Sequence, residues 1–250
     1  MRFSSRPLAA VLLALAALPV SAKDLTVSAA ASLKDAFQEI AAQYQRQHPG
    51  VEVRLNTAGS GALVQQLKQG APVDVLATAD QASMDEANKN KSIDPASRKT
   101  FVRNDLVMVV PKNSNIRLQK LSDLQQSAIR RIALSNPDSV PVGRYSKQAL
   151  TKAGLFEAVK PKLITTQNVR QSLDYVARGE VDAGFVYRTD AALMPDKVSI
   201  TAAVPLDTPV SYPIAVAAHS SDKAEARRFV DFVLSPAGRK VLDKYGFSRP

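Results

Sequence analysis

From Leu25 onward, short apolar runs take turns with stretches in which apolar residues return every three or four positions. Leu25 to Ala29 predicts a strand, and Ser32 to Gln47 a helix with Leu33, Phe37, Ile40 and Tyr44 on one face. Val51 to Leu55 predicts a second strand. Ala62 to Gln69 predicts a short helix stopped by Gly70-Ala71-Pro72. Asp74 to Ala77 reads as a buried strand and Ser83 to Asn90 as another helix. Leu106 to Val110 is an apolar strand stopped by Pro111.

A second series follows. Ser122 is placed to cap a helix, Arg131 to Leu134 predicts a strand, and Gly143 to Ala153 a helix closed by Gly154. Leu163 to Thr165 and Ala183 to Val186 predict strands on either side of a helix over Val169 to Arg178, closed by Gly179. Tyr212 to Ala217 repeats the apolar character of the run at Leu106. Two helices end the chain, Asp222 to Leu234 and Pro236 to Tyr245, with Ser235 and Pro236 opening the second. Such alternation predicts an α/β protein with mostly parallel sheets. The apolar runs near 106 and 212 are expected to be crossover strands joining two lobes. Lobe one is then built from both ends of the chain and lobe two from its middle, with a cleft suited to closing on a ligand.

The first 22 residues change the picture. Arg2 and Arg6 precede the run LAAVLLALAALPV, and Val20-Ser21-Ala22 closes it with small residues. This is the form of a cleaved secretory leader, and the run is too short to span a bilayer. Cleavage after Ala22 is expected, leaving 228 residues, 31 basic against 23 acidic, at net charge +8. No later stretch is apolar enough to span a membrane, so the mature chain is expected to be soluble. There is no cysteine, which excludes disulfides, thiolate metal sites and a lipid-modified N-terminal cysteine. The basic residues are scattered rather than striped with aromatics, so a nucleic-acid partner is not expected.

Candidates for catalysis are few. His48 and His219 are the only histidines, both in expected loops without a second ligand at metal-binding spacing. No GxSxG, GxxxxGK[ST] or GxGxxG is present. Asp74 and Asp80 read as turn or surface residues rather than an acid/base pair. The chemistry lies instead at helix starts, where unpaired N–H groups attract anions. Ala29-Ala30-Ala31-Ser32-Leu33 and Ala58-Gly59-Ser60-Gly61-Ala62 each put a serine between a strand and a helix. Taken alone, Ser32 reads as a simple N-cap, with Asp35 as a loose capping box, whereas the Gly59-Ser60-Gly61 turn reads equally as a glycine-rich turn or a site. Val140 to Tyr145 and Gln167 to Arg170 open two helices in the middle segment, and Tyr187 follows an apolar strand.

Together these pieces resemble the periplasmic molybdate-binding proteins of ABC importers over the whole mature length. The resemblance is carried by AAASL at 29–33, GSGAL at 59–63, GAPVDVLATAD at 70–80, VPVGRYSKQAL at 140–150, NVRQSLDYVARGEVDAGFVYRTDA at 168–191, YPIAV at 212–216 and YGF at 245–247. It implies a type II periplasmic-binding-protein fold, two α/β lobes joined by a two-strand hinge with the cleft between them. The implied division is 1–22 leader, 23–105 and 212–250 lobe one, and 106–211 lobe two. It further implies an oxyanion held by neutral donors: Ser32 and Ser60 from lobe one, main-chain N–H groups of Val142 and Val169, and the Tyr187 hydroxyl, from lobe two. Where Val142 stands the family often has alanine, a change that a main-chain donor tolerates. Gly59 and Gly61 replace serines that often crowd that loop. No residue is expected to coordinate a metal directly, and no cofactor is implied. The implied ligand is molybdate or tungstate, with sulfate or another tetrahedral oxyanion as the alternative. The implied partner is the permease of an ABC importer, the expected state a monomer in the periplasm, and no enzymatic activity is expected. Arg144 and Arg170 neighbour site positions, but adjacent helix residues point elsewhere, which places them at the cleft rim or surface.

Overall fold

A computed structural model describes residues 23–250, so the leader expected over the first 22 residues lies outside the described residues. The first strand, β1 (Lys23–Ala30), leads through a 3-10 turn (Ala31–Leu33) into α1 (Lys34–Gln47). Next come β2 (Val51–Ala58), α2 (Ser60–Lys68), β3 (Val75–Ala77), α3 (Gln81–Lys89) and β4 (Lys99–Asn104). The middle of the chain supplies β5 (Leu106–Pro111), β6 (Ile132–Ser135), α4 (Pro141–Lys152), α5 (Phe156–Val159), β7 (Leu163–Thr166) and α6 (Val169–Ala177). After these follow β8 (Ala183–Tyr187), α7 (Arg188–Ala191) and β9 (Val198–Ala203). The chain ends with β10 (Val210–Val216), α8 (Lys223–Leu234) and α9 (Pro236–Lys244).

These strands form two five-stranded sheets, ordered β2-β1-β3-β10-β4 and β7-β6-β8-β5-β9. Each is the floor of one lobe, and the fold is the type II periplasmic-binding-protein architecture. The sheets are built alike. In each, three strands run parallel, then one long antiparallel strand is inserted beside them: β10 in the first lobe and β5 in the second. The expectation of mostly parallel sheets is therefore corrected to mixed sheets. The cause is the crossing itself, because a strand arriving from the other lobe enters against the direction of the βα units. Neither β5 nor β10 spans both sheets. The chain passes from the first sheet to the second at Asp105, between β4 and β5, and returns over 204–209, between β9 and β10.

Two strands were not predicted. β4 (KTFVRN) and β9 (VSITAA) are sheet-edge strands with mixed burial, so their apolar signal is weak. Ser122 caps nothing. It lies inside a 3-10 turn, and the Asp123 carboxylate instead accepts the N–H groups of Gln119 and Lys120. Asp74 and Asp80 are buried rather than on the surface. Asp74 accepts the Thr26 N–H and the Ser220 hydroxyl, tying the base of β1 to the loop after β10. Asp80 caps α3 through the Ser83 N–H.

The outer layer of the first lobe is an aromatic contact between α1 and α8. Phe37 and Tyr44 meet Phe229 with ring centroids 6.4 and 5.2 Å apart, edge to face. The Tyr44 hydroxyl donates to buried Glu225, which also pairs with Arg228. The helix from the end of the chain is thereby fixed onto the helix from its beginning. Phe229→Ala should cost about 3–5 kcal/mol by opening a cavity at this contact. Denaturant unfolding of the ligand-free protein measures it, and a loss below ~1 kcal/mol would contradict the packing described.

Candidate functional site

In an α/β sheet, the loops beyond the carboxyl ends of parallel strands carry the helix starts, and ligands collect there. Here two such edges face each other. From the first lobe come the turn after β1, which holds Ser32, and the start of α2 after β2, which holds Ser60. From the second lobe come the start of α4 after β6 and the start of α6 after β7. Tyr187 ends β8 beside them. All five predicted residues, Ser32, Ser60, Val142, Val169 and Tyr187, line one cavity of about 10 Å³ between the lobes. Clefts for organic ligands run to several hundred Å³. This one is on the scale of a compact ion.

The donors face the cavity because their other hydrogen-bonding options are taken or absent. Ser60 Oγ accepts the Ala79 N–H at 3.0 Å, so its own proton is left to donate. Ser32 is not an N-cap, since no side chain caps either the 3-10 turn or α1. Its Oγ lies 3.0 Å from Tyr212 Oη instead. In α4, Pro141 takes the first position, where its missing N–H is no loss, and Val142 follows too early to reach a carbonyl of its own helix. In α6 the Asn168 side chain accepts the N–H groups of Arg170 and Gln171 and leaves that of Val169. Among the described residues neither valine N–H has a partner. Tyr187 is buried and its Oη likewise has no hydrogen-bond partner among the described residues. Burial, foremost, holds this phenol well above its usual pKa, so it remains a protonated donor.

Among the described residues no carboxylate and no cationic side chain lines the cavity. Arg144 and Arg170 lie just outside it, and they do more than occupy a rim. Arg144 of the second lobe reaches across to Asp80 Oδ2 at 2.8 Å and to Ser83 Oγ at 2.7 Å. Arg170 pairs with Asp35 of the first lobe at 2.7 Å and with Asp190 of its own lobe at 2.6 Å, and its Nη2 donates to the Ser32 carbonyl at 3.4 Å. Asp190 is fully buried, and burial outweighs Arg170 in pushing its carboxyl up to about 6. Both arginines thus latch one lobe to the other. Sequence alone gave no sign of it, because the pairings span more than 60 residues.

Two glycines make the approach possible. The Gly61 N–H donates across the cleft to the Ser139 carbonyl at 2.9 Å. A Cβ on Gly61 would lie 2.5 Å from that oxygen, and one on Gly59 would lie 2.9 Å from the Gln167 carbonyl. Their role is close contact between lobes as much as access to a ligand.

The model of the bacterial extracellular solute-binding protein family matches residues 25–248. The chain belongs to that family. Among its relatives, a putative ABC transporter substrate-binding lipoprotein of Bacillus subtilis, YvgL, is 39% identical, with 90% of this chain and 86% of the relative aligned. The molybdate-binding protein ModA of Escherichia coli is 37% identical over 90% of this chain and 88% of its own length. In solved structures, the periplasmic molybdate-binding protein of Azotobacter vinelandii superimposes with a TM-score of 0.79 at 24% identity, covering 90% of this chain and 99% of that one. The sulfate-binding protein SubI of Mycobacterium tuberculosis reaches the same TM-score at 17% identity, with 91% of this chain and 87% of that one covered. At that identity the likeness is one of fold. The family expected from the sequence motifs is thus the family found.

Closure can be tested apart from ligand chemistry. Gly61→Ala is compatible with the first turn of α2 but places a methyl against the Ser139 carbonyl. The variant should fold with undiminished stability yet show a larger radius of gyration by small-angle scattering. Identical scattering from the two proteins would refute the role given to this glycine.

Proposed function

We propose that this chain is a periplasmic receptor that captures molybdate or tungstate and hands it to the permease of an ABC importer. The observation that carries the reading is the convergence of hydroxyl and main-chain donors on one ion-sized cavity lined, among the described residues, by no charged side chain. A tetrahedral dianion offers acceptor oxygens only. Each hydrogen bond to a charged group contributes roughly 1.5–3 kcal/mol, so several together offset the desolvation of the ion without a counter-charge. The named ligand of the relatives supports molybdate over other oxyanions of the same shape.

The remaining parts of the reading fit this role. The residues assigned to the anion are Ser32, Ser60, Val142, Val169 and Tyr187, each holding oxygens rather than the metal. The division proposed is 23–105 with 212–250 for lobe one and 106–211 for lobe two, supported by the placement of β5 to β9 in one sheet. The 22-residue leader composition supports export with cleavage after Ala22, and delivery is to the inner-membrane permease by a monomer. The receptor acts by binding and release, without catalysis, cofactor or nucleic acid.

Mass action tests it directly. Ligand at a hundredfold excess over its dissociation constant stabilises a folded protein by about 2.7 kcal/mol. Molybdate and tungstate should each raise the melting temperature of the mature protein, and sulfate should displace them only at much higher concentration. No shift with either metal oxyanion would sink the proposal, while equal competition by sulfate would reassign the ligand. Ser60→Ala removes one charged-group hydrogen bond and should weaken molybdate binding about 10- to 100-fold. Calorimetric titration checks the value, and an unchanged constant would remove Ser60 from the site.

A further inference from the structure

Behind Ser32 runs a buried polar chain that starts at the first lobe crossing. Asn104, the last residue of β4, accepts the Asp105 N–H on its Oδ1 at 2.9 Å. That bond settles which end of the amide is which. Its Nδ2 then faces Tyr212 Oη at 3.2 Å and Thr189 Oγ1 at 2.8 Å. An amide nitrogen has two hydrogens and no acceptor capacity, so both contacts are donations. Tyr212 Oη therefore receives from Asn104, and its own single hydrogen has Ser32 Oγ, 3.0 Å away, as partner. Ser32 Oγ receives in turn, and its proton is left for the cavity. Asn104 can only donate to Tyr212, and the order Asn104 to Tyr212 to Ser32 is the one that leaves no buried hydrogen of the chain unpaired.

We propose that Asn104 and Tyr212 are positioning residues that fix the Ser32 hydroxyl as a donor and thereby set the selectivity of the site for fully deprotonated oxyanions. This rests on the oxyanion reading above. Left to itself, a serine hydroxyl rotates to donate or accept as a ligand requires. A serine held as a donor cannot serve an anion that keeps a proton, because that O–H then finds no acceptor and remains buried and unpaired. Selectivity here is the rejection of the wrong partner as much as the capture of the right one. Burial, before any other cause, holds the Tyr212 phenol well above its usual pKa, so the middle of the chain keeps its proton.

Two substitutions test the direction of the chain. Tyr212→Phe removes the relay but keeps the ring, which packs against Phe101, Tyr187 and Phe247 at centroid distances of 6.5, 5.9 and 5.5 Å. Asn104→Asp reverses it: a carboxylate takes the Tyr212 hydrogen, Ser32 must then donate to Tyr212, and the cavity sees a lone pair. Molybdate and phosphate are titrated against each protein, by calorimetry or by displacement, at a pH where phosphate is the singly protonated dianion. Tyr212→Phe should raise the molybdate constant about three- to tenfold, and Asn104→Asp about 10- to 100-fold. In both, the preference for molybdate over hydrogen phosphate should narrow. Because both ligands are dianions, repulsion by the introduced carboxylate cancels in that ratio, and so does any general loosening of the fold. Should Asn104→Asp not fold, Tyr212→Phe decides alone. A ratio unchanged in Tyr212→Phe, with wild-type molybdate binding intact, overturns the proposal. Absence of molybdate and tungstate binding in the wild type overturns the receptor reading, and the proposal with it.

Discussion

A helix begins with N–H groups that no carbonyl of its own can reach, and this protein brings such beginnings together from two lobes. The starts of α2, α4 and α6 and the 3-10 turn after β1 all open toward one small cavity. Buried donors without partners are costly, so the arrangement is stable only if something accepts from them. Much of the surrounding structure serves to keep that demand focused. Pro141 starts α4 without adding another N–H, and the Asn168 side chain quiets two of the N–H groups of α6. What remains is a short set of donors with a common target.

That focus depends on backbones from different lobes meeting at hydrogen-bond distance, which side chains would ordinarily prevent. Gly59 and Gly61 remove the Cβ atoms that would strike the Gln167 and Ser139 carbonyls. Arg144 and Arg170 then supply attraction across the same gap. The matching sheets make such a meeting natural. Each lobe takes its long antiparallel strand from a chain segment that has just crossed over, at Asp105 for β5 and at 204–209 for β10.

Much of this was legible in the chain. The period of apolar residues located α1, α6 and α8, and strand-to-helix junctions bearing Ser32 and Ser60 marked the site edge. Family motifs then added Val142, Val169 and Tyr187, whose roles rest on main-chain N–H groups or a lone phenol and leave no local signature. The edge strands β4 and β9 escaped because charge or modest apolarity hides a period of two. Arg144, Arg170, Asn104 and Tyr212 escaped for another reason. Their importance lies in partners 60 to 180 positions away, as in the Ser32–Tyr212 contact, and no local pattern records such a pairing. Asp80 was misjudged on the same ground, since a helix cap and an inter-lobe ion pair meet on one carboxylate.

The positive charge of the chain bears on the site in an indirect way. Two arginines stand beside the donors, and a cation there would bind any anion, protonated or not. Each is instead matched to a carboxylate of the opposite lobe, and Arg170 to the buried Asp190 as well. Their charge is spent on holding the lobes together and largely cancelled before it reaches the cavity. Ligand choice is thereby left to geometry and proton count, which neutral donors read and a bare charge does not. The same separation explains how closure can be strong while the site stays neutral: attraction between lobes and recognition of the ion are carried by different groups a few ångströms apart.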